Sequence, residues 1–196
     1  MNIAGVVLAG GQSSRYGQPK MFEPFAGQPL YKHSLIALQK NQLQPIIIAT
    51  NASLQSQFLE NDVQWIIEEQ PHQGPLFALH TIMNHFPTVE WFFVLASDMP
   101  LIHAQFVQTM LAFIDERYDA IVPQQADKLQ PLAALYRRSA LPIATQLVLQ
   151  NRRSMQALLA QLRVCYIPFE ENNKLFTNIN TQQDWSAAYT KESYHE

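Results

Sequence analysis

Short apolar runs separated by amphipathic stretches set the pattern of this chain. Residues 3–9 (IAGVVLA) are apolar without alternation and stop at Gly10-Gly11, which predicts a buried strand ended by a turn. Residues 30–39 carry apolar side chains at helical spacing, and 45–50 (PIIIAT) and 64–68 (QWIIE) read as short strands. Residues 76–86 predict a helix opening just after Gly74-Pro75, because proline suits a first helical turn. The run at 90–96 (EWFFVLA) is the strongest strand signal. Apolar on both faces, it belongs at the centre of a sheet. Beyond it, 106–114 predicts a helix, 119–123 and 132–136 strands, 139–149 and 154–162 helices, 164–168 a last strand and 181–189 a closing helix.

Strands alternating with helices imply right-handed βαβ units and one mostly parallel sheet covered on both faces. The expected fold class is α/β, a Rossmann-like three-layer sandwich forming a single domain over residues 1–196. No internal repeat, low-complexity segment or linker rich in Pro, Gly or Ser divides the chain. Ligands of such sheets bind beyond the carboxyl ends of the strands. The residues that follow Ala9, Thr50, Ile67 and Ala96 are therefore the candidates for chemistry.

Composition narrows the class. Of 196 residues, 47% are hydrophobic, enough for a sizeable core. The formal net charge of -3 excludes the global basic field of a nucleic-acid binder, so any phosphate affinity must be local. The single cysteine, Cys165, forms no internal disulfide, as suits a reducing cytoplasm, and inside an apolar run it reads as packing. No apolar run approaches the ~20 residues of a membrane span, and the first residues lack the basic n-region of a signal peptide. A cytoplasmic, soluble protein is expected, a monomer or weak oligomer, without nucleic-acid or membrane partners.

The first turn reads Leu8-Ala9-Gly10-Gly11-Gln12-Ser13-Ser14-Arg15-Tyr16-Gly17-Gln18-Pro19-Lys20. Paired glycines at a strand end let backbone approach a ligand, and their N–H groups can cradle phosphate oxygens. Arg15 and Lys20 add positive charge beside this turn. The spacing is neither a Walker A loop nor G-x-G-x-x-G. Asp98, after the strongest strand, can hold Mg²⁺ together with phosphates and waters, or can simply shape a turn. The six histidines show no metal-ligand spacing, and no Ser/His/Asp or Cys/His arrangement stands out.

The LAGGxSxRxGxxK pattern resembles the N-terminal signature of the molybdenum-cofactor guanylyltransferases, within the nucleotide-diphospho-sugar-transferase-like superfamily. Gln73-Gly74-Pro75-Leu76, Ala96-Ser97-Asp98-Met99-Pro100, Pro131, Arg152-Arg153 and Asn178-Ile179-Asn180-Thr181 resemble later motifs of that family, so the likeness spans nearly the whole chain. It implies an enzyme that transfers GMP from GTP to Mo-molybdopterin and releases pyrophosphate, with residues 1–100 binding GTP and Mg²⁺ and 101–196 the acceptor pterin. Cofactor-biosynthesis and molybdoenzyme-maturation proteins are the implied partners.

By the same resemblance Arg15, Lys20 and Asp98 are catalytic, and Asp98 is the metal ligand. Leu8, Ala9, Gly10, Gly11, Lys20, Asn51, Glu69, Gly74, Pro75, Leu76 and Asp98 bind GTP. Arg152, Arg153, Asn178 and Asn180 bind the pterin. A carboxylate at Glu69 can accept from both guanine donors, although the family more often has Asp there, and Phe77-Ala78 replaces a common Ala-Gly pair. Arg137, Arg138, Arg152 and Arg153 fall in the second half, away from the GTP motifs. They either grip a phosphorylated pterin or are solvated surface charge. Two rival functions are a CTP-using cytidylyltransferase, which typically reads LAAG where this chain has LAGG, and a non-catalytic nucleotide or pterin carrier.

Overall fold

The structure is a computed structural model that describes residues 1–11, 19–69, 73–179 and 184–185. Its elements are β1 (Ile3–Leu8), a small hairpin of β2 (Pro24–Phe25) and β3 (Gln28–Pro29), α1 (Leu30–Lys40), β4 (Ile46–Asn51) and the one-turn α2 (Ala52–Gln55). There follow β5 (Gln64–Glu68), α3 (Pro75–His85), β6 (Trp91–Ala96), α4 (Ala104–Leu111), β7 (Ala120–Gln125), β8 (Lys128–Leu129) and β9 (Ala133–Arg137). The last are α5 (Leu141–Leu149), α6 (Met155–Leu159) and β10 (Val164–Phe169). The helix expected over 181–189 lies outside the described residues except for Asp184 and Trp185.

One sheet runs β10-β7-β9-β6-β1-β4-β5, with β8 attached to β7. Neighbours β1, β4, β5 and β6 are parallel, as are β7 and β10, whereas β9 is antiparallel to both β6 and β7. Because β9 is reversed between them, β6 and β7 point the same way. The carboxyl ends of β1, β4, β5, β6, β7 and β10 therefore share one rim. Chain order diverges on either side of β1 and β6, and the crevice at such a switch point is where ligands of open α/β sheets bind.

Two apolar layers sandwich the sheet. On one face Leu35 and Leu38 of α1 and Phe106 and Met110 of α4 pack with Val7, Ile48 and Phe93. On the other, Leu79 and Ile82 of α3, Leu147 of α5 and Leu158 of α6 pack with Val6, Ile47 and Phe92. Every residue of β6 is buried, as its unbroken apolar run requires. At Gly5 an added Cβ would stand 2.8 Å from Ile46 Cδ1 and 3.0 Å from Leu38 Cβ, so glycine is what lets α1 lie against β1.

The opposite, amino-end rim is held by charge. Asp119 accepts from Arg163 Nε (2.9 Å), Arg163 Nη2 (2.9 Å) and Ser139 Oγ (2.6 Å), joining the starts of β7 and β10 to the turn before α5. Arg137 donates to Glu90 and to the carbonyl of Glu116, and Arg138 to the carbonyls of Met83 and Phe86 at the end of α3. Antiparallel β9 carries both arginines to this rim. They are structural ties and take no part at the carboxyl-end crevice, which removes them from the pterin candidates. Among the described residues no helix is long and apolar enough to cross a membrane.

Candidate active site

Backbone and hydroxyl bonds fix the crevice before any ligand arrives. Ala9 N–H donates to Ala49 O (2.8 Å), Thr50 Oγ1 to Ala9 O (2.9 Å), and Ser97 N–H to Leu8 O (3.1 Å). Buried Ser34 of α1 donates to Ala96 O (2.7 Å). The ends of β1, β4 and β6 are thus locked together, and the side chains that follow them inherit that rigidity.

Lys20 and Asp98 form the centre. Lys20 Nζ donates to Asp98 Oδ2 at 2.8 Å and to the carbonyl of Ile179 at 2.6 Å, and Ile179 N–H donates back to Asp98 O at 3.0 Å. The two charged side chains are only 12% and 20% exposed, so their attraction is screened far less than that of a surface pair. Asp98 Oδ1 is buried and, among the described residues, has no hydrogen-bond partner. An orphaned carboxylate oxygen inside a crevice is costly and fits a divalent cation as its missing partner. Among the described residues no group of three or more His, Cys, Asp or Glu could hold a metal.

The other expected residues divide by location. Leu8, Ala9 and Gly10 lie at the end of β1, and among the described residues a Cβ at Gly11 would meet nothing within 4 Å. Asn51 Oδ1 caps α2 by accepting from Leu54 N–H (3.2 Å) and also accepts from Ser53 Oγ (2.7 Å), so its amide nitrogen is the part available to a nucleotide. Gly74 has φ +91° and delivers Pro75 to the first turn of α3 at the rim. Leu76 is fully buried in the core, so its contribution is to anchor that helix. Arg15 and Asn180 lie outside the described residues.

Two placements were not foreseen. Glu69 is exposed just past β5, whereas the carboxylate of Glu68 packs on the glycine turn: Glu68 Oε1 is 2.9 Å from where a Cβ of Gly10 would be. Side chains two apart in a strand share a face, so Glu68 follows Ile66, and that parity was the available signal. Second, Arg153 is not remote from the nucleotide motifs. Its Cβ and carbonyl oxygen both lie 3.6 Å from the Cβ position at Gly74, while its guanidinium donates to Asn151 Oδ1 at 3.2 and 3.0 Å. Arg152 is exposed beside it. Asn178 lines a cavity of about 500 Å³ and directly precedes Ile179, which bonds Lys20 and Asp98.

Residues 5–165 match the MobA-like NTP transferase domain. The chain belongs to that family. It is 31% identical over 194 residues to the "Probable molybdenum cofactor guanylyltransferase" of Geobacillus sp. (strain WCH70), covering 96% of this chain and 98% of that one. It is also 31% identical over 192 residues to the protein of that name from Bacillus cereus (strain B4264), covering 94% of each. Among solved structures, molybdopterin-guanine dinucleotide biosynthesis protein A from Archaeoglobus fulgidus superposes with a TM-score of 0.76 at 25% identity, over 97% of this chain and 98% of that one. A CMP:2-keto-3-deoxy-manno-octonic acid synthetase shares the fold (TM-score 0.78, 15% identity, 100% of both chains). So does Rv0371c of Mycobacterium tuberculosis, in a structure with manganese (TM-score 0.71, 14% identity, 95% and 97% covered). This member of the MobA-like family is a nucleotidyltransferase, and both the family and the fold class expected from its motifs are borne out.

Proposed function

We propose that this nucleotidyltransferase moves GMP from GTP to the terminal phosphate of molybdopterin, with Mg²⁺ at Asp98, and releases pyrophosphate. The observation that carries the site is the Asp98 carboxylate, one oxygen held by Lys20 and the other buried without a partner among the described residues. The names of the relatives, similar along nearly their whole length, supply the substrates.

A terminal phosphate is already anionic near neutral pH, so its oxygen attacks the α-phosphorus of GTP without a general base. One P–O bond forms, the bond to the β-phosphate oxygen breaks, and pyrophosphate departs in line. Catalysis is then alignment and charge neutralisation. Asp98 would hold the divalent ion through Oδ1, and the ion would neutralise charge on the phosphates. Lys20 supplies a fixed positive charge at the same point, and Gly10 and Gly11 supply backbone N–H donors. The start of α3 at Gly74-Pro75 adds the positive end of a helix dipole. Glu69, exposed at the strand end, accepts from the guanine N1–H and 2-amino group. Residues 1–100 thus serve the nucleotide and 101–196 the acceptor, reached through Arg152, Arg153 and Asn178, with Arg15 and Asn180 completing the two halves. The setting is cytoplasmic, alongside cofactor-biosynthesis and molybdoenzyme-maturation proteins.

Pyrophosphate release from GTP with Mg²⁺, with and without molybdopterin, tests this directly. Release that requires the acceptor, and that Asp98→Asn abolishes without unfolding the protein, is the expected result. Full release by Asp98→Asn would remove the metal from Asp98.

A further inference from the structure

Between α2 and β5 the polar stretch 55–62 (QSQFLEND) contains one apolar pair, Phe58-Leu59. Leu59 is 78% exposed and Phe58 only 7%, so of the two neighbours the phenyl ring alone is taken into the protein. There it meets three other aromatic rings. Its centroid lies 4.7 Å from Phe22, 4.7 Å from Tyr31 and 5.4 Å from Trp65, and Phe22 and Tyr31 are themselves 5.9 Å apart. Every one of these pairs meets edge-on, at interplanar angles between 61° and 74°. Because the positive edge of one ring faces the negative face of the next, such a cluster fixes orientation as well as distance. An aliphatic side chain fills the volume without reproducing that.

Polar bonds hold the same segment. Glu60 accepts from Tyr31 Oη at 2.9 Å and pairs with Lys32 Nζ at 3.2 Å. Phe58 N–H donates to the carbonyl of Gln55, the last residue of α2, and Asn51 caps the start of that helix. The connector is thus tied to α1 on one side and to the end of β4 on the other.

The four rings come from four parts of the chain. Phe22 closes the single 3-10 turn Lys20–Phe22, Tyr31 lies in the first turn of α1, Trp65 lies in β5, and Phe58 is the connector. Lys20 opens the turn that Phe22 closes, and Glu23 N–H donates to Lys20 O at 3.0 Å, so ring and lysine backbone move as one body. From that backbone Lys20 reaches Asp98 Oδ2 and the carbonyl of Ile179, neither of which belongs to the elements that carry the rings. Where the ammonium stands in the crevice therefore depends on where Phe22 docks, and Phe58 touches Phe22 and both of the other rings. Misplacing a reacting or stabilising group by about 1 Å can lower a rate on the order of 10²-fold. We infer that Phe58 is a positioning residue for the reaction, setting the place of Lys20 through the ring of Phe22. The inference rests on Lys20 as the fixed positive charge of the proposed transfer.

The test is a double-mutant cycle on the full chain, read as pyrophosphate release from GTP with Mg²⁺ and molybdopterin. It compares the unmodified protein, Phe58→Leu, Lys20→Met and the two together, each per folded molecule. Phe22→Leu, which removes the other ring of one 4.7 Å contact, runs through the same cycle. Leu147→Ala, buried in α5 on the opposite face of the sheet, controls for lost core packing. The expected result is a tenfold or larger fall in kcat for Phe58→Leu and Phe22→Leu, with KM for GTP within threefold. In the Lys20→Met background the same substitutions change kcat less than twofold. Leu147→Ala keeps kcat within twofold despite a lower melting temperature. A kcat loss of equal size with and without Lys20, or no loss, overturns the positioning role and leaves the transferase standing. If Lys20→Met turns over as fast as the unmodified protein, the assignment of Lys20 fails and the inference with it.

Discussion

Lys20 Nζ stands 2.8 Å from Asp98 Oδ2, although 78 residues separate the two in the chain. The same ammonium holds the carbonyl of Ile179, 159 residues away, so one side chain gathers the ends of three distant motifs. Lys20 thereby neutralises the carboxylate proposed to hold the divalent ion.

Lys20→Met therefore has two opposite effects. Turnover falls on the order of 10²–10³-fold, the scale for removing one fixed charge stabiliser from a transition state. Affinity of the nucleotide-free protein for Mn²⁺, read by electron paramagnetic resonance, rises, because the ion no longer competes with an ammonium for Asp98. Unchanged Mn²⁺ affinity together with unchanged turnover would reduce Lys20 to a structural tie for Ile179.

Gly10→Ala places a methyl group 2.9 Å from Glu68 Oε1. Backbone at the strand end is fixed by neighbours, so the Glu68 carboxylate, the far end of a flexible side chain, must swing away. GTP and CTP binding both weaken, by less than roughly tenfold, or about 1.4 kcal/mol, because the side chain gives before the backbone does. Among the described residues Gly11→Ala meets no protein atom, so the smaller loss is expected there. Calorimetry on both variants distinguishes them, and equal losses would contradict the distinction.

Much of this site was legible in the sequence because chemistry-bearing residues follow strands, and the strands are plain. Residues 91–96 are apolar on both faces, so their central place needs no tertiary knowledge. Strands β2, β3 and β8 and helix α2 escaped because two to four residues carry no period. Strand direction is also absent from hydrophobic pattern. Nothing in LAALYRR says that β9 runs backwards, and only that reversal takes Arg137 and Arg138 to the far rim. The roles of Glu68 and Glu69 depend likewise on register, which puts Glu68 beside Asn51 and its carboxylate on Gly10. The nearness of Arg153 to Gly74 is a contact between halves, invisible before the fold is known.

Asp119 sets the acid stability of the amino-end rim. Its hydrogen bonds from the Arg163 guanidinium, reinforced by Ser139, hold its carboxyl well below the usual carboxylate range. A depressed folded-state pKa stabilises the fold above the unfolded-state value and loses that contribution as pH falls toward the folded one. Asp119→Asn should cost about 1 kcal/mol at neutral pH, the upper end for a solvent-screened pair, because the Arg163 side chain is 64% exposed. The deficit should stay constant down to about pH 5 and shrink below about pH 4, where the unfolded carboxyl protonates. Urea unfolding across that range checks it, and turnover per folded molecule should not change.

Glu69→Gln tests base recognition. An amide keeps one acceptor but adds a donor that faces guanine N1–H, so the preference for GTP over CTP should fall by tenfold or more, while the maximal rate changes less. Strong discrimination arises when the wrong base leaves polar groups unpaired. Glu68→Gln, acting on the turn, should weaken both nucleotides alike. A reversed pair of outcomes would move guanine recognition to Glu68.

Guanylyl transfer to a pterin phosphate at the Lys20–Asp98 centre is tested by supplying equal GTP, CTP and ATP with Mg²⁺ and molybdopterin and reading the dinucleotide products by mass, alongside pyrophosphate. The expected result is molybdopterin guanine dinucleotide in large majority, with one pyrophosphate for each molecule formed. A cytidine dinucleotide in the majority, or no pyrophosphate from any nucleotide, would contradict it.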